Sequence, residues 1–92
     1  MRIIGHIEHP RLKITVFKMD NRLSLKIEDE YAEETFKFRQ QEGLSTLEDV
    51  QRLADDSFLK ATEQRLLQMR RQAADALARI APPPPDEFDA IL

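Results

Sequence analysis

Cysteine is absent from the 92-residue chain, and with it go disulfides, thiolate metal sites and cysteine nucleophiles. Tryptophan is absent too, and glycine is limited to Gly5 and Gly43, so there is no glycine-rich loop to cradle a phosphate and no Gly-x-Ser-x-Gly turn. No apolar run approaches the ~20 residues of a membrane span, and Met1-Arg2-Ile3-Ile4-Gly5-His6 is too short an apolar run for a secretory leader. A cytoplasmic setting is the expectation.

Net charge is almost absent as well. Residues 1–45 carry eight Lys/Arg and eight Asp/Glu, and residues 46–81 carry six of each. The whole formal charge of −3 therefore comes from Asp86, Glu87 and Asp89 in the last eleven residues. A neutral folded part has little long-range field with which to steer a polyanion, so any nucleic-acid site has to be a local patch.

What the chain does contain is periodicity. From Ile3 to Arg39 apolar and polar residues alternate: Leu12, Ile14 and Val16, then Leu23, Leu25 and Ile27, then Phe36 and Phe38. Period two is the signature of half-buried strands. Asp20-Asn21 suits a two-residue hairpin turn because both residues tolerate positive φ. That turn pairs Val16 with Leu25, Ile14 with Ile27, and Lys13 with Glu28, matching apolar with apolar and charge with countercharge. Around His9-Pro10 a four-residue loop is expected. At Asp29-Glu30-Tyr31 two registers remain open: a tight turn pairs Lys26 with Glu33 and Arg22 with Lys37, and a four-residue loop pairs Leu25 with Phe36 and Leu23 with Phe38. Both point Phe36 and Phe38 inward.

After Gly43, Ser45-Thr46-Leu47-Glu48 has the form of a capping box with Ser45 as N-cap and Glu48 at the third helical position. Helical spacing follows, and Asp55-Asp56-Ser57 either breaks that helix or caps a new one. Leu59, Leu66, Ala73 and Ile80 then recur at intervals of seven, with Thr62, Met69 and Ala76 each three residues later, before Pro82–Pro85 stop any helix. The fold class expected is α+β: a four-stranded antiparallel β-meander followed by one long or broken C-terminal α-helix (ββββα) in a two-layer sandwich. Residues 1–81 form one domain, and residues 82–92 form a proline spacer and an acidic, apolar tail. A continuous helix over Thr46–Ala81 would run roughly 54 Å against about 23 Å for a seven-residue strand, so its second half must fold back or project. Leu59, Leu66, Met69, Ala73 and Ile80 are the candidate dimer seam.

Three further constellations bear on function. His6 and His9, three apart at a strand end, face opposite ways, which does not favour a shared metal, and the acid clusters lack a calcium-loop pattern; no metal or cofactor is expected, and no catalytic residue. By parity the outer sheet face carries Arg2, Lys13, Arg22, Lys26, Lys37 and Arg39 among Glu8, Glu28 and Glu33, with Phe17 beside them. A basic face with an aromatic can track a phosphate backbone and stack a base. Phe17, Arg22, Lys26, Lys37 and Arg39 are therefore the candidate nucleic-acid face, and four strands followed by a helix resembles, at the level of fold and without a shared motif, the Whirly and related single-strand DNA binders.

The third is the tail. Pro82–Pro85 make a stiff spacer of about 12 Å ahead of Asp86, Glu87, Phe88, Asp89, Ile91 and Leu92. This segment resembles the tail of bacterial single-strand DNA-binding proteins, which implies docking on basic, apolar pockets of protein partners. The function expected is a small non-catalytic protein-interaction module, a homodimer with a docking peptide at its end. Single-stranded nucleic-acid binding on the outer face is the alternative.

Overall fold

The computed structural model describes residues 1–81, and the tail residues Asp86, Glu87, Phe88, Asp89, Ile91 and Leu92 lie outside the described residues. Four strands, β1 (Arg2–Ile7), β2 (Lys13–Met19), β3 (Arg22–Glu28) and β4 (Glu33–Arg39), form one antiparallel sheet in the order β1-β2-β3-β4. Helices α1 (Leu47–Leu53) and α2 (Asp56–Ile80) follow. The expected ββββα class is observed, with the helix in two pieces. No helix among the described residues is long and apolar enough to cross a membrane.

The β2–β3 register is the one the turn chemistry dictates, with Val16 opposite Leu25, Ile14 opposite Ile27 and Lys13 opposite Glu28. Asp20 takes the positive φ of 53° that the two-residue turn needs. Between β3 and β4 the longer loop holds, pairing Leu25 with Phe36 and Leu23 with Phe38. Asp29 does the work that glycine would otherwise do: its carboxylate accepts from the Tyr31 and Ala32 amides at 2.8 and 2.9 Å. One consequence is that Arg22 faces Arg39, and Lys37 faces Ser24.

The inner face carries Ile14, Val16, Leu23, Leu25 and Ile27, all nearly inaccessible, and the helical layer closes over them with Val50, Ala54, Leu59 and Leu66. Phe36 and Phe38 point inward as expected but sit on the edge strand half-buried, stacked at 6.2 Å, with Phe58 tilted against Phe36 at 4.7 Å. In β1 the register slips between Ile3 and Gly5, so Ile3 faces Phe17 and Gly5 faces Val16. This bulge sets Arg2 opposite Lys18, away from the outer-face set in which parity had placed it. It also sets Gly5 beneath Leu47, where a Cβ would clash with the leucine methyl.

The helix caps correct the expected positions. Thr46, not Ser45, is the N-cap of α1, and Asp49, not Glu48, closes the capping box. With Thr46 as N-cap, Leu47 lies on Gly5 and Val50 is buried. The Asp49 carboxylate accepts from the Ser45 and Thr46 amides at 2.9 and 3.0 Å and is flanked by Arg52. These two backbone hydrogen bonds, aided by the Thr46 hydroxyl and Arg52, hold its pKa down to about 2 from 3.8, against the opposing effect of burial.

A depressed carboxylate pKa contributes stability that is present above the unfolded value and lost as pH falls toward the folded one. Stability should therefore decline between about pH 4 and pH 2, and Asp49→Asn should flatten that limb of an acid titration followed by circular dichroism. An unchanged acid limb in the variant would remove Asp49 from the account.

Ala54 closes α1 as its C-cap, and Asp55 caps α2 by accepting from the Phe58 amide at 2.9 Å, so the break falls between these two residues.

Candidate functional site

Helix α2 crosses the sheet along β4 and then leaves it. Its course is marked by Phe58 on Phe36, Arg65 on Glu34 at 2.8 Å, and the Arg70 guanidinium 3.8 Å from the centre of the Tyr31 ring. Those partners descend from mid-β4 to the β3–β4 loop, so the helix exits at that end of the sheet. Leu59, Thr62 and Leu66 are buried, and Leu66 is the last buried residue of the helix. The residues after Arg70, about 15 Å of helix, project past the sheet.

The expected dimer seam is thereby divided. Leu59 and Leu66 belong to the chain's own core, at 6% and 1% exposure, because the sheet reaches that far and covers them. Thr62 is accommodated there because its hydroxyl donates to the Phe58 carbonyl at 3.1 Å. Met69, Ala73 and Ile80 continue the same stripe uncovered, joined by Leu77, one helical turn beyond Ala73. Met69, Leu77 and Ile80 are 42, 61 and 79% exposed. Leu77 was invisible to a strict seven-residue repeat, although its spacing of four from Ala73 and three from Ile80 is the signal that finds it.

The opposite face of the sheet holds the second surface. Its rows run across the strands: Ile3, Phe17, Ser24 and Lys37 in one, and Met19, Arg22 and Arg39 in the next. Phe17, Met19, Arg22, Lys26 and Lys37, with Met1, Ser24, Thr35 and the Glu33 carboxylate beside Lys26, line a shallow trough of about 380 Å³. Phe17, Arg22, Lys26 and Lys37 of the expected nucleic-acid face are thus brought together, with Arg39 at the edge. Two of them are compromised for that role. Phe17 is half-buried between Ile3 and Ser24, and Lys26 is engaged by Glu33 at 3.4 Å and Glu28 at 3.9 Å. Arg22, Lys37 and Arg39 have no carboxylate within ion-pair distance among the described residues. Apolar side chains therefore occupy the β1–β2 half of this end and unneutralised cations the β3–β4 half.

The histidines do not converge, because His6 is in β1 and His9 lies beyond the strand, in the β1–β2 loop, where strand parity does not apply. His6 lies beside Thr15, with 3.5 Å between its Nδ1 and the hydroxyl. His9 folds into the β1–β2 loop, where its Nδ1 accepts from the Arg11 and Leu12 amides at 3.1 Å each. The proton is then on Nε2, which faces Glu63 at 3.5 Å. Arg11 grips the same carboxylate through two hydrogen bonds of 3.0 Å, which lower the Glu63 pKa and raise that of Arg11. The open groove of about 630 Å³ beside them, lined also by Leu67 and Arg70, contains a clamp that ties the β1–β2 loop to α2. These partners are 52 residues apart in the chain and could not be paired from sequence.

Comparison of the chain with protein families, curated proteins and solved structures returns no match, and no function is carried over from a relative.

Proposed function

We propose that this protein is a small non-catalytic interaction module that pairs with a second copy of itself through the projecting half of α2. The observation that carries the reading is the stripe that passes from buried to uncovered at Leu66: the spacing that packs Leu59, Thr62 and Leu66 on the sheet continues through Met69, Ala73, Ala76 and Ile80 with nothing among the described residues over it. A solvated helix face has no reason to keep that spacing, whereas two such faces brought together bury their large side chains around a centre of alanines, which permits close approach. The non-catalytic part of the reading is supported by His9, whose two ring nitrogens are both engaged in the loop clamp and offer no lone pair to a substrate. Sedimentation equilibrium of the full chain at about 100 μM should give twice the monomer mass. A monomer at that concentration would defeat the proposal.

A further inference from the structure

The trough on the outer sheet face and the C-terminal segment are complementary in both charge and polarity. Across β3 and β4, Arg22 stands directly opposite Arg39 and diagonal to Lys37, an arrangement of like charges that destabilises a sheet unless an anion relieves it. Apolar Phe17 and Met19, with Ile3 at 56% exposure, adjoin those cations. The segment Asp86–Leu92 offers three acids interspersed with Phe88, Ile91 and Leu92, and it holds all of the chain's net charge. We infer that this trough, with Ile3 and Arg39 flanking it, receives residues Asp86–Leu92 of a second copy of the chain, Arg22, Lys37 and Arg39 meeting the acids and Ile3, Phe17 and Met19 meeting the apolar residues.

Length selects the second copy over the same chain. Helix α2 leaves the sheet at the β3–β4 loop, where Arg70 lies on Tyr31, so Ala81 sits about 16 Å beyond that end. Arg22 and Arg39 are at the other end of their strands, another ~20 Å away and on the face that the helices do not cover. Asp86 and Asp89 are tethered within about 18 and 28 Å of their own Ala81 even when fully extended, short of their own cations. In an antiparallel pairing of the projecting helices, centred between Ala73 and Ala76, the Ile80 of one copy lies beside the other copy's Met69, at the β3–β4 loop end of that copy's sheet. From there the partner's trough comes within reach. A parallel pair would direct both tails away from both sheets.

This inference rests on the helix pairing proposed above, in its antiparallel form, and it supplies something that pairing lacks. The projecting stripe spans only two heptads, short for an independent coiled coil. A reciprocal exchange of tails adds a second contact at high effective concentration.

The chain has no native cysteine, so Ala90→Cys accepts a single nitroxide. Spin-labelled full chain at natural abundance is mixed in equal amounts with ¹⁵N-labelled full chain. The Ser24, Lys37 and Arg39 amide signals of the ¹⁵N chain should lose more than about half their intensity, recover on reduction of the nitroxide, and be spared when the spin-labelled chain also carries Phe88→Ala or the ¹⁵N chain carries Arg22→Glu. No broadening of these amides would overturn the inference, as would broadening seen only in a separate sample in which the spin-labelled chain is itself ¹⁵N-labelled and is diluted with unlabelled chain. So would undiminished amides that shift instead on addition of a 20-nucleotide single strand, which would assign the face to nucleic acid. The mass of the same samples separates the two proposals: a dimer without broadening overturns the tail docking and leaves the helix pairing standing alone, whereas a monomer without broadening overturns both.

Discussion

Leu66→Ala is expected to lower the unfolding free energy by about 3 to 5 kcal/mol, measured by denaturant melts at fixed protein concentration so that mass action on the dimer is held constant. Leu66 is 1% exposed and lies where α2 last touches the sheet, among residues on rigid strands that cannot collapse into the space left behind. Its neighbours in the helix, Thr62 and Arg65, are tied in turn to Phe58, Phe36 and Glu34, so the cavity would loosen the contact between the layers as well as remove transfer energy. A loss below about 1 kcal/mol would mean that α2 is not seated on the sheet in solution.

Replacing Leu77 and Ile80 together by glutamate should act on the other quantity, association. Both residues lie outside the core, at 61 and 79% exposure, so the unfolding midpoint of the isolated monomer should move little. In a symmetric pair every substitution is present twice, and each carboxylate brought into the apolar contact would be unpaired. The dissociation constant should rise by at least about 100-fold, equivalent to roughly 2.8 kcal/mol, and light scattering should report a folded monomer. A double variant that keeps the mass of the dimer would show that the helices do not meet along this stripe. The contrast between Leu66 and Ile80 is sharp because both occupy the same position of one seven-residue repeat, and only the edge of the sheet separates their roles.

Local chemistry explains which parts of the architecture were legible in advance. Alternation fixed the inner faces of β2 and β3, and Asp20-Asn21 fixed their register, because a two-residue turn leaves only one pairing. The β3–β4 register could not be chosen from the chain, since it depends on the Asp29 carboxylate closing a loop without glycine. The α1 cap is ambiguous by one residue because Ser45-x-x-Glu48 and Thr46-x-x-Asp49 are both acceptable as sequences, and the reciprocal hydrogen bonds between Thr46 and Asp49 select the second. For the candidate surfaces, composition and parity found Phe17, Arg22, Lys26, Lys37 and Arg39, and the β-ladder showed that only Arg22, Lys37 and Arg39 remain unneutralised. The heptad repeat was visible throughout. The point at which it changes from an internal to an uncovered stripe was not, because it depends on where a 25-residue helix outruns seven-residue strands.

Amide hydrogen exchange of residues 69–80 as a function of protein concentration tests the pairing of the projecting helices most directly. A helix end with no tertiary partner frays and exchanges within the low-stability range of the molecule, whatever the concentration. If the stripe of Met69, Ala73, Leu77 and Ile80 is an interface, protection of these amides should rise steeply from about 1 μM to 100 μM while that of Leu25 and Ile27 in the sheet stays constant. Protection of residues 69–80 that is low and independent of concentration would contradict the account.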